Sequence, residues 1–367
     1  MFLIILLALT LVLHTIVWIS YRYFFSVSWR RSVRVFLLVP ILFTLSFLLF
    51  HTLIETYDVD FFYQLSGIWV GMFVYIFFSS LIFLLLWGLS YLFKNPFSVP
   101  VRRMIGKIGI GVVILFSGYS VWNAFDIDVV RHDLFLPSFP SSWEGRSIVH
   151  ITDTHLGGVF HEDHLATILS VIEKQDPYAV FITGDVFDGA SHNMRELVAP
   201  LRSFNVEGGV YVISGNHEWY AGYEESLDAL TPGSPIMLDD RVVVQDGVTI
   251  AGLAYPSGFE QDRDVASVFE GQVNPSDPSV VLFHAPYKAV LEKIASYGSD
   301  LVLLGHTHKG QLFPFNYITA LVYEGLDYGL HQFADGYVYT SSGVGGWGPP
   351  FRSGSDAEVV VFKIVTQ

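Results

Sequence analysis

Two regimes of hydrophobic patterning divide the chain. Up to about Phe125, Leu, Ile, Val and Phe dominate with few acids, and four nearly continuous apolar runs stand out at 1–20, 35–54, 66–93 and 105–125. Each approaches or exceeds the roughly 20 residues a helix needs to cross a bilayer core, so the pattern predicts four transmembrane helices. The first run has no basic leader and no small-residue exit, and reads as a span and not as a cleaved signal. Gly106, Gly109, Gly111 and Gly118 on the fourth fit close helix packing. The first loop carries Arg22, Arg30, Arg31 and Arg34, and the third carries Lys94, Arg102, Arg103 and Lys107. The second holds only Glu55, Asp58 and Asp60. The excess of cations puts loops one and three in the cytoplasm and the remainder of the chain on the outer face of the cell membrane.

Beyond Phe125 the stretch HDLFLPSFPSSWEG reads as a linker along the membrane surface, with Phe135, Phe139 and Trp143 at the interface. The expected organisation is therefore a membrane region over 1–125, a linker over 126–145 and one domain over 146–367. In that domain the pattern becomes short β-branched or apolar runs, each ending in a polar, glycine-containing turn. SIVHITDTH, YAVFITGDVFD, GVYVISGNHE, SVVLFHAP and DLVLLGHTH share this form, with helix-like stretches at 161–174, 193–204 and 288–297 between them. Runs this uniformly apolar suit strands buried on both faces. VVVQDGVTIAGL carries the Asp-Gly signal of a two-residue hairpin, and AEVVVFKIVT reads as a closing strand. The pattern predicts an α/β sandwich of mixed sheets with helices outside.

Charge sharpens the division. Residues 1–150 carry a net +3 and residues 151–367 a net −18, so the second part is a poor general binder of nucleic acid. Acids that hold metal ions would neutralise part of that charge. The absence of cysteine excludes disulfides and thiolate metal sites.

The five strand-like runs each deliver a metal-capable side chain just past the carboxyl end. Asp153 and His155 follow the first, Asp185 and Asp188 the second, Asn216, His217 and Glu218 the third, His284 the fourth, and His306 and His308 the fifth. Ligands of open α/β sheets bind at the carboxyl ends of strands, so these clusters are expected to converge. Carboxylates and imidazoles with one amide oxygen suit Mn, Fe, Zn or Mg. There are enough of them for two divalent ions if one carboxylate bridges. Asp185 is the natural bridge, because Gly184 lets the backbone turn tightly before it. Two such ions would bind a phosphoryl group, lower the pKa of a water and stabilise developing charge. That is hydrolytic phosphoester chemistry. Any one motif is common by chance; five in this order are not.

The order DTH, GDVFD, GNHE, a solitary His and GHTH resembles the calcineurin-like metallophosphoesterase family from about Arg146 onward. GYVYTSSGVGGWGPPFR is similar to the closing segment of its membrane-associated bacterial subgroup. The resemblance implies a four-layer α/β/β/α sandwich. It also implies that Asp153, His155 and His308 hold one ion, that Asn216, His284 and His306 hold the other, and that Asp185 bridges. His217 would donate a proton to the phosphoryl oxygen or leaving group, with Asp188 orienting it. A general acid beside the metals that is not itself a ligand agrees with this assignment. The subgroup commonly reads GHTHGGQ where this chain reads GHTHKGQ. Lys309 thus either contacts a substrate phosphate or points to solvent.

The expected activity is hydrolysis of a phosphodiester, pyrophosphate or phosphomonoester, on a lipid-linked, envelope-derived or small-molecule substrate. Membrane-associated relatives implied by the resemblance include a phosphodiesterase class and UDP-diacylglucosamine pyrophosphatases. An outward-facing domain argues against the latter's substrate. The nearly uncharged, aromatic LFPFNYITALVYEGL either lines a groove for acyl chains or forms a buried crossover over the sheet. The competing function is a membrane scaffold or receptor that binds a phosphorylated ligand without turnover.

Overall fold

The computed structural model describes residues 2–28, 33, 37–53, 59–189, 193–231, 233–256 and 263–367. Arg30, Arg31, Arg34, Glu55 and Asp58, on which part of the loop-charge reading rests, lie outside them. Packing divides the chain into a helical unit, 1–122 with 349–351, and a second unit, 123–348 with 352–367.

The apolar runs form helices Phe2–Phe25, Val39–Leu53, Asp60–Leu92 and Val99–Asn123. Three of these are long and apolar enough to cross a membrane. Val39–Leu53, with 15 residues, spans about 22 Å at the α-helical rise. Aromatic contacts fix the helix directions. His14 stacks on Phe73 at 4.0 Å, Tyr21 meets Phe83 at 5.2 Å and Tyr23 stacks on Trp87 at 4.3 Å. The first and third helices therefore run parallel. Phe43 against Trp69 and Phe47 against Tyr63 descend in opposite order, so the second runs antiparallel to the third. Gly106 and Gly109 lie where a Cβ would strike the rings of Phe25 and Phe83, which is the close packing expected of them; Gly111 and Gly118 face open space.

The second unit contains two six-stranded sheets. One has the order β1-β12-β2-β3-β4-β5 and the other β10-β11-β9-β8-β7-β6. The strands are β1 Ile127–Phe135, β2 Ser147–Ile151, β3 Ala179–Thr183, β4 Val210–Ile213, β5 Pro235–Met237, β6 Arg241–Gln245, β7 Val248–Gly252, β8 Ser279–Leu282, β9 Leu301–Leu304, β10 Gly329–Phe333, β11 Gly336–Thr340 and β12 Ala357–Val365. Strands β2, β3 and β4 are mutually parallel, as are β7, β8 and β9. Their carboxyl ends thus share an edge within each sheet. Alternate residues build two faces: Ile148, Phe181, Tyr211, Ile250, Leu282 and Leu303 share one core cluster. Val281, Val302 and Leu304 pack with Val290, Leu291 and Ile294 of helix Lys288–Ala295 in another. Burial on both faces explains why the strands read as unbroken apolar runs. Asp246 and Gly247, at φ 47° and 79°, make the turn of the antiparallel β6–β7 hairpin, as Asp-Gly requires.

The expected linker is corrected. Most of its first half is β1, paired in parallel register with β12 along its whole length. Phe139 and Trp143, expected at a membrane interface, are 4% and 0% exposed. Trp143 packs edge-on against Tyr178 and donates its indole N–H to the Asp246 carbonyl at 3.2 Å. Proline and serine mark the segment as irregular, but Leu134, Leu136, Phe139 and Trp143 are core, and of the three aromatics only Phe135 is exposed.

Candidate metal centre

The ends of β2, β3 and β9 turn through a conformation that side chains ordinarily avoid. Asp153, His155, Asp185, His306 and His308 have φ of 55°, 46°, 51°, 74° and 49°, a strain of about 1–3 kcal/mol each that clusters at functional sites. Gly184, at φ 90°, precedes Asp185, and a Cβ there would lie 2.6 Å from the Gly215 nitrogen and 2.9 Å from His284 Nδ1. The loops that follow β3, β4 and β8 can meet only because that position is glycine.

The expected residues come together. Asp153, His155 and His308 form one group and Asp185, His284 and His306 another, and His155 and Asp185 form a third with His217 that overlaps both, each with its donor atoms within 4.8 Å of one another. His308 Nε2 lies 3.2 Å from Asp153 Oδ1 and 3.0 Å from His155 Nε2. His284 Nε2 lies 3.1 Å from Asp185 Oδ2, which also faces His155 Nε2 at 3.8 Å. Asn216 Oδ1 is 2.8 Å from His306 Nδ1. His217 Nδ1 lies 3.4 Å from Asp188 Oδ1, and its ring is edge-on to His155 at 4.4 Å. A cavity of about 600 Å³ lined by Arg146, Tyr178 and Val206 opens at the other ends of the strands and touches none of these residues.

These donors fit divalent ions. His284 Nδ1 donates to the Thr183 carbonyl at 2.7 Å, which aims Nε2 at the Asp185 carboxylate 3.1 Å away; burial opposes its charge, but Asp185 pushes the ring up to about 9, so Nε2 carries a proton where a divalent ion would take its place. Burial pushes His306 and His308 down to about 3 and about 4, which leaves neutral imidazoles fit to ligate. Burial opposes ionisation of Asp185, but His284 and His217 outweigh it and hold the carboxyl below its usual range. Burial likewise opposes the charge on Asp153, and His308 and His155 overcome it.

His217 differs from the other imidazoles. Its side chain keeps 17% exposure, while those of His155 and His284 have none. Burial lowers its pKa, but the carboxylates of Asp185 and Asp188 push it up to about 9. The Gly189 amide donates to His217 Nδ1 at 3.1 Å and to Asp188 Oδ1 at 2.9 Å. Below about 9 the ring is an imidazolium that can give up a proton, and activity that depends on that proton will fall as pH rises through about 9. Asp188→Asn removes one raising charge and should move that alkaline limb to lower pH, visible in pH profiles of kcat/KM.

Lys309 sits at φ 49° with its ammonium 4.0 Å from the centroid of the Tyr328 ring. The left-handed backbone is one that glycine adopts without cost.

Two features are absent from the sequence pattern, and a third, Glu218, has a role other than the metal-capable one expected of it. Glu218 is fully buried, and its carboxylate accepts the backbone amides of Asp185, Val186, Phe187 and Gly215 at 3.0, 2.8, 3.1 and 2.6 Å. It ties the Asp185 loop to the Asn216 loop. Arg352 is buried and donates to the carbonyls of Ser342, Gly345 and Asp356, with one Nη 3.3 Å from His308 Nδ1. Tyr255 and Tyr287 share a hydroxyl contact of 3.0 Å, and with Tyr323 their rings stand about 6 Å from His306. Only the position of Glu218, two after Asn216 in GNHE, hinted at a role.

Fold and site together define a metal-dependent phosphoesterase, a hydrolase of phosphate esters. Residues 146–310 match the calcineurin-like phosphoesterase family. The chain is 32% identical to a metallophosphoesterase of Campylobacter jejuni, over 72% of this chain and 71% of that one. It is also 32% identical to one of Aquifex aeolicus, over 69% and 97%. A transmembrane protein with metallophosphoesterase domain from Bos taurus is 29% identical over 60% of this chain and 53% of that one. The protein belongs to the metallophosphoesterase family.

Proposed function

We propose that this protein is a membrane-anchored phosphohydrolase that uses two divalent ions on a lipid-linked or envelope-derived phosphoester. The observation that carries the reading is the position of Asp185, whose Oδ2 faces His284 of one donor group at 3.1 Å and His155 of the other at 3.8 Å. Asp153, His155 and His308 would hold one ion and Asn216, His284 and His306 the other. When bound, the ions supply Lewis acidity that polarises a phosphoryl group and acidifies water. His217 donates the Nε2 proton to the leaving oxygen, and Asp188 holds the ring in place. Tyr255, Tyr287 and Tyr323 exclude water from the His306 side, which strengthens every charge interaction within.

Lys309 draws in the substrate phosphate. Its hold on Tyr328 is worth only about 0.5–1 kcal/mol and is readily released. Lys309→Gly is expected to raise KM roughly two- to fivefold at constant kcat, the scale of one exposed charge contact. Unchanged KM would remove the role.

In this reading the chain crosses four times and the catalytic unit lies on the outer face. Parallel first and third helices require the chain between them to return across, and Val39–Leu53 runs in the returning direction. The Arg102 guanidinium lies 4.4 Å from the Tyr23 ring, which supports the two cation-rich loops sharing one end. Reporter fusions at the C-terminus test this: an extracytoplasmic signal is expected, and a cytoplasmic one would reverse the orientation. Turnover screens over lipid phosphates, diphosphates and phosphodiesters with Mn²⁺ test the substrate class. Activity confined to small soluble phosphoesters would remove the lipid assignment.

A further inference from the structure

Helix Asn316–Val322 is built inside out. None of its residues is buried, and Tyr317, Ile318, Leu321 and Val322 are 68%, 53%, 80% and 63% exposed. Their spacing places all four on one face. The opposite side carries the small and polar residues. Thr319 donates to the Asp327 carboxylate at 3.1 Å, and the Asn316 backbone lies against Gly310. A surface helix in water shows the reverse arrangement, apolar side chains inward and polar ones outward. The buried-crossover reading of this stretch is thus replaced by an apolar face turned outward.

The face extends beyond the helix. Phe313 and Trp347 are 45% and 52% exposed, and Trp347 is pinned beside the start of the segment by two backbone hydrogen bonds to the Gln311 side chain. No charged residue lies between Lys309 and Glu324. Aromatic and aliphatic side chains without charge match the interfacial zone of a membrane, whereas a protein-binding patch ordinarily carries a polar rim. The medium is at hand in the chain itself. Helix Val99–Asn123, apolar and long enough to span, leads into β1 through only the residues 124–126.

We propose that the outward face of this helix, with Phe313 and Trp347, lies in the interfacial layer of a lipid bilayer and keeps the neighbouring metal centre at headgroup depth. The inference rests on the membrane anchoring proposed above and is independent of phosphoester turnover.

The chain has no cysteine, so single labels need no background removal. Leu321→Cys, Leu115→Cys and Val244→Cys variants of the full chain, at sites 80%, 77% and 69% exposed, are spin-labelled in phosphatidylcholine–phosphatidylglycerol nanodiscs. The nitroxide's collisions with oxygen are compared with those with a water-soluble nickel chelate. The proposal expects oxygen to dominate at positions 321 and 115 and the chelate to dominate at 244. Lipid exposure at 115 with water exposure at 321 overturns the docking face alone. Water exposure at both overturns the anchoring as well. A label at 321 that neither collider reaches points to a second copy of the chain or another protein on this face, and also overturns it.

Discussion

Asp185→Asn is expected to remove turnover of an aryl phosphodiester in Mn²⁺ almost completely, by about 10³-fold or more. That is the loss of the several kcal/mol of charge stabilisation a metal pair supplies. The variant keeps an oxygen that can accept the His217 backbone amide, which now meets Asp185 Oδ1 at 2.8 Å. It loses the negative charge that His284 and His155 face at 3.1 and 3.8 Å. Failure should therefore appear in metal binding, with the fold preserved. A ligand present at a hundred times its Kd stabilises a protein by about 2.7 kcal/mol. Wild-type protein should show a rise of this kind in its thermal transition when Mn²⁺ is added, and the variant much less. Full turnover in Asp185→Asn would show that the residue does not join the two donor groups.

Glu218→Ala should produce the largest loss of stability among substitutions near the centre. It strands four backbone amides in a site with no access to water. Each buried unsatisfied donor costs about 1–3 kcal/mol, so a total of about 4 kcal/mol or more is expected. For a unit of this size that lowers the thermal transition by about 10 °C or more. Glu218→Gln retains one carbonyl oxygen but sets an amide group against the N–H groups of two loops, and should fall between wild type and alanine. Circular dichroism melts in chelator read the effect without any contribution from metal. Metal affinity should fall in parallel, because the loops that lose their tie carry Asp185 and Asn216. An alanine variant that melts like wild type would show that the loops hold their shape without the carboxylate.

Residue pattern went furthest where one local rule decided the structure. The runs that became β2, β3, β4, β8 and β9 were readable because each is apolar throughout and stops at a polar turn. The β6–β7 hairpin was readable because Asp246-Gly247 admits few alternatives. The donor set was readable because its residues follow those strands directly. What escaped depends on partners distant in sequence. Strand β1 is identified only by its pairing with β12, more than two hundred residues away, and the Pro, Ser and aromatic residues that overlap and follow it suggest a linker. Phe139 and Trp143 read as interfacial aromatics because composition cannot distinguish a ring in lipid from one under a sheet. Glu218 was visible as one of the metal-capable side chains after the third run, but its role lies in amides of another strand loop. The helix after Lys309 showed its composition and concealed its direction, since apolar residues on a helix do not say which side faces the protein.

The claim that matters most is that the two donor groups act as one dinuclear catalytic centre. Its most direct test is to strip the full-length protein with chelator, titrate Mn²⁺, and follow bound metal and hydrolysis of bis(p-nitrophenyl) phosphate together. Turnover should appear as a second ion binds per chain, and Asp185→Asn should abolish both the second ion and the activity. Protein that fills with metal and stays inert would contradict it.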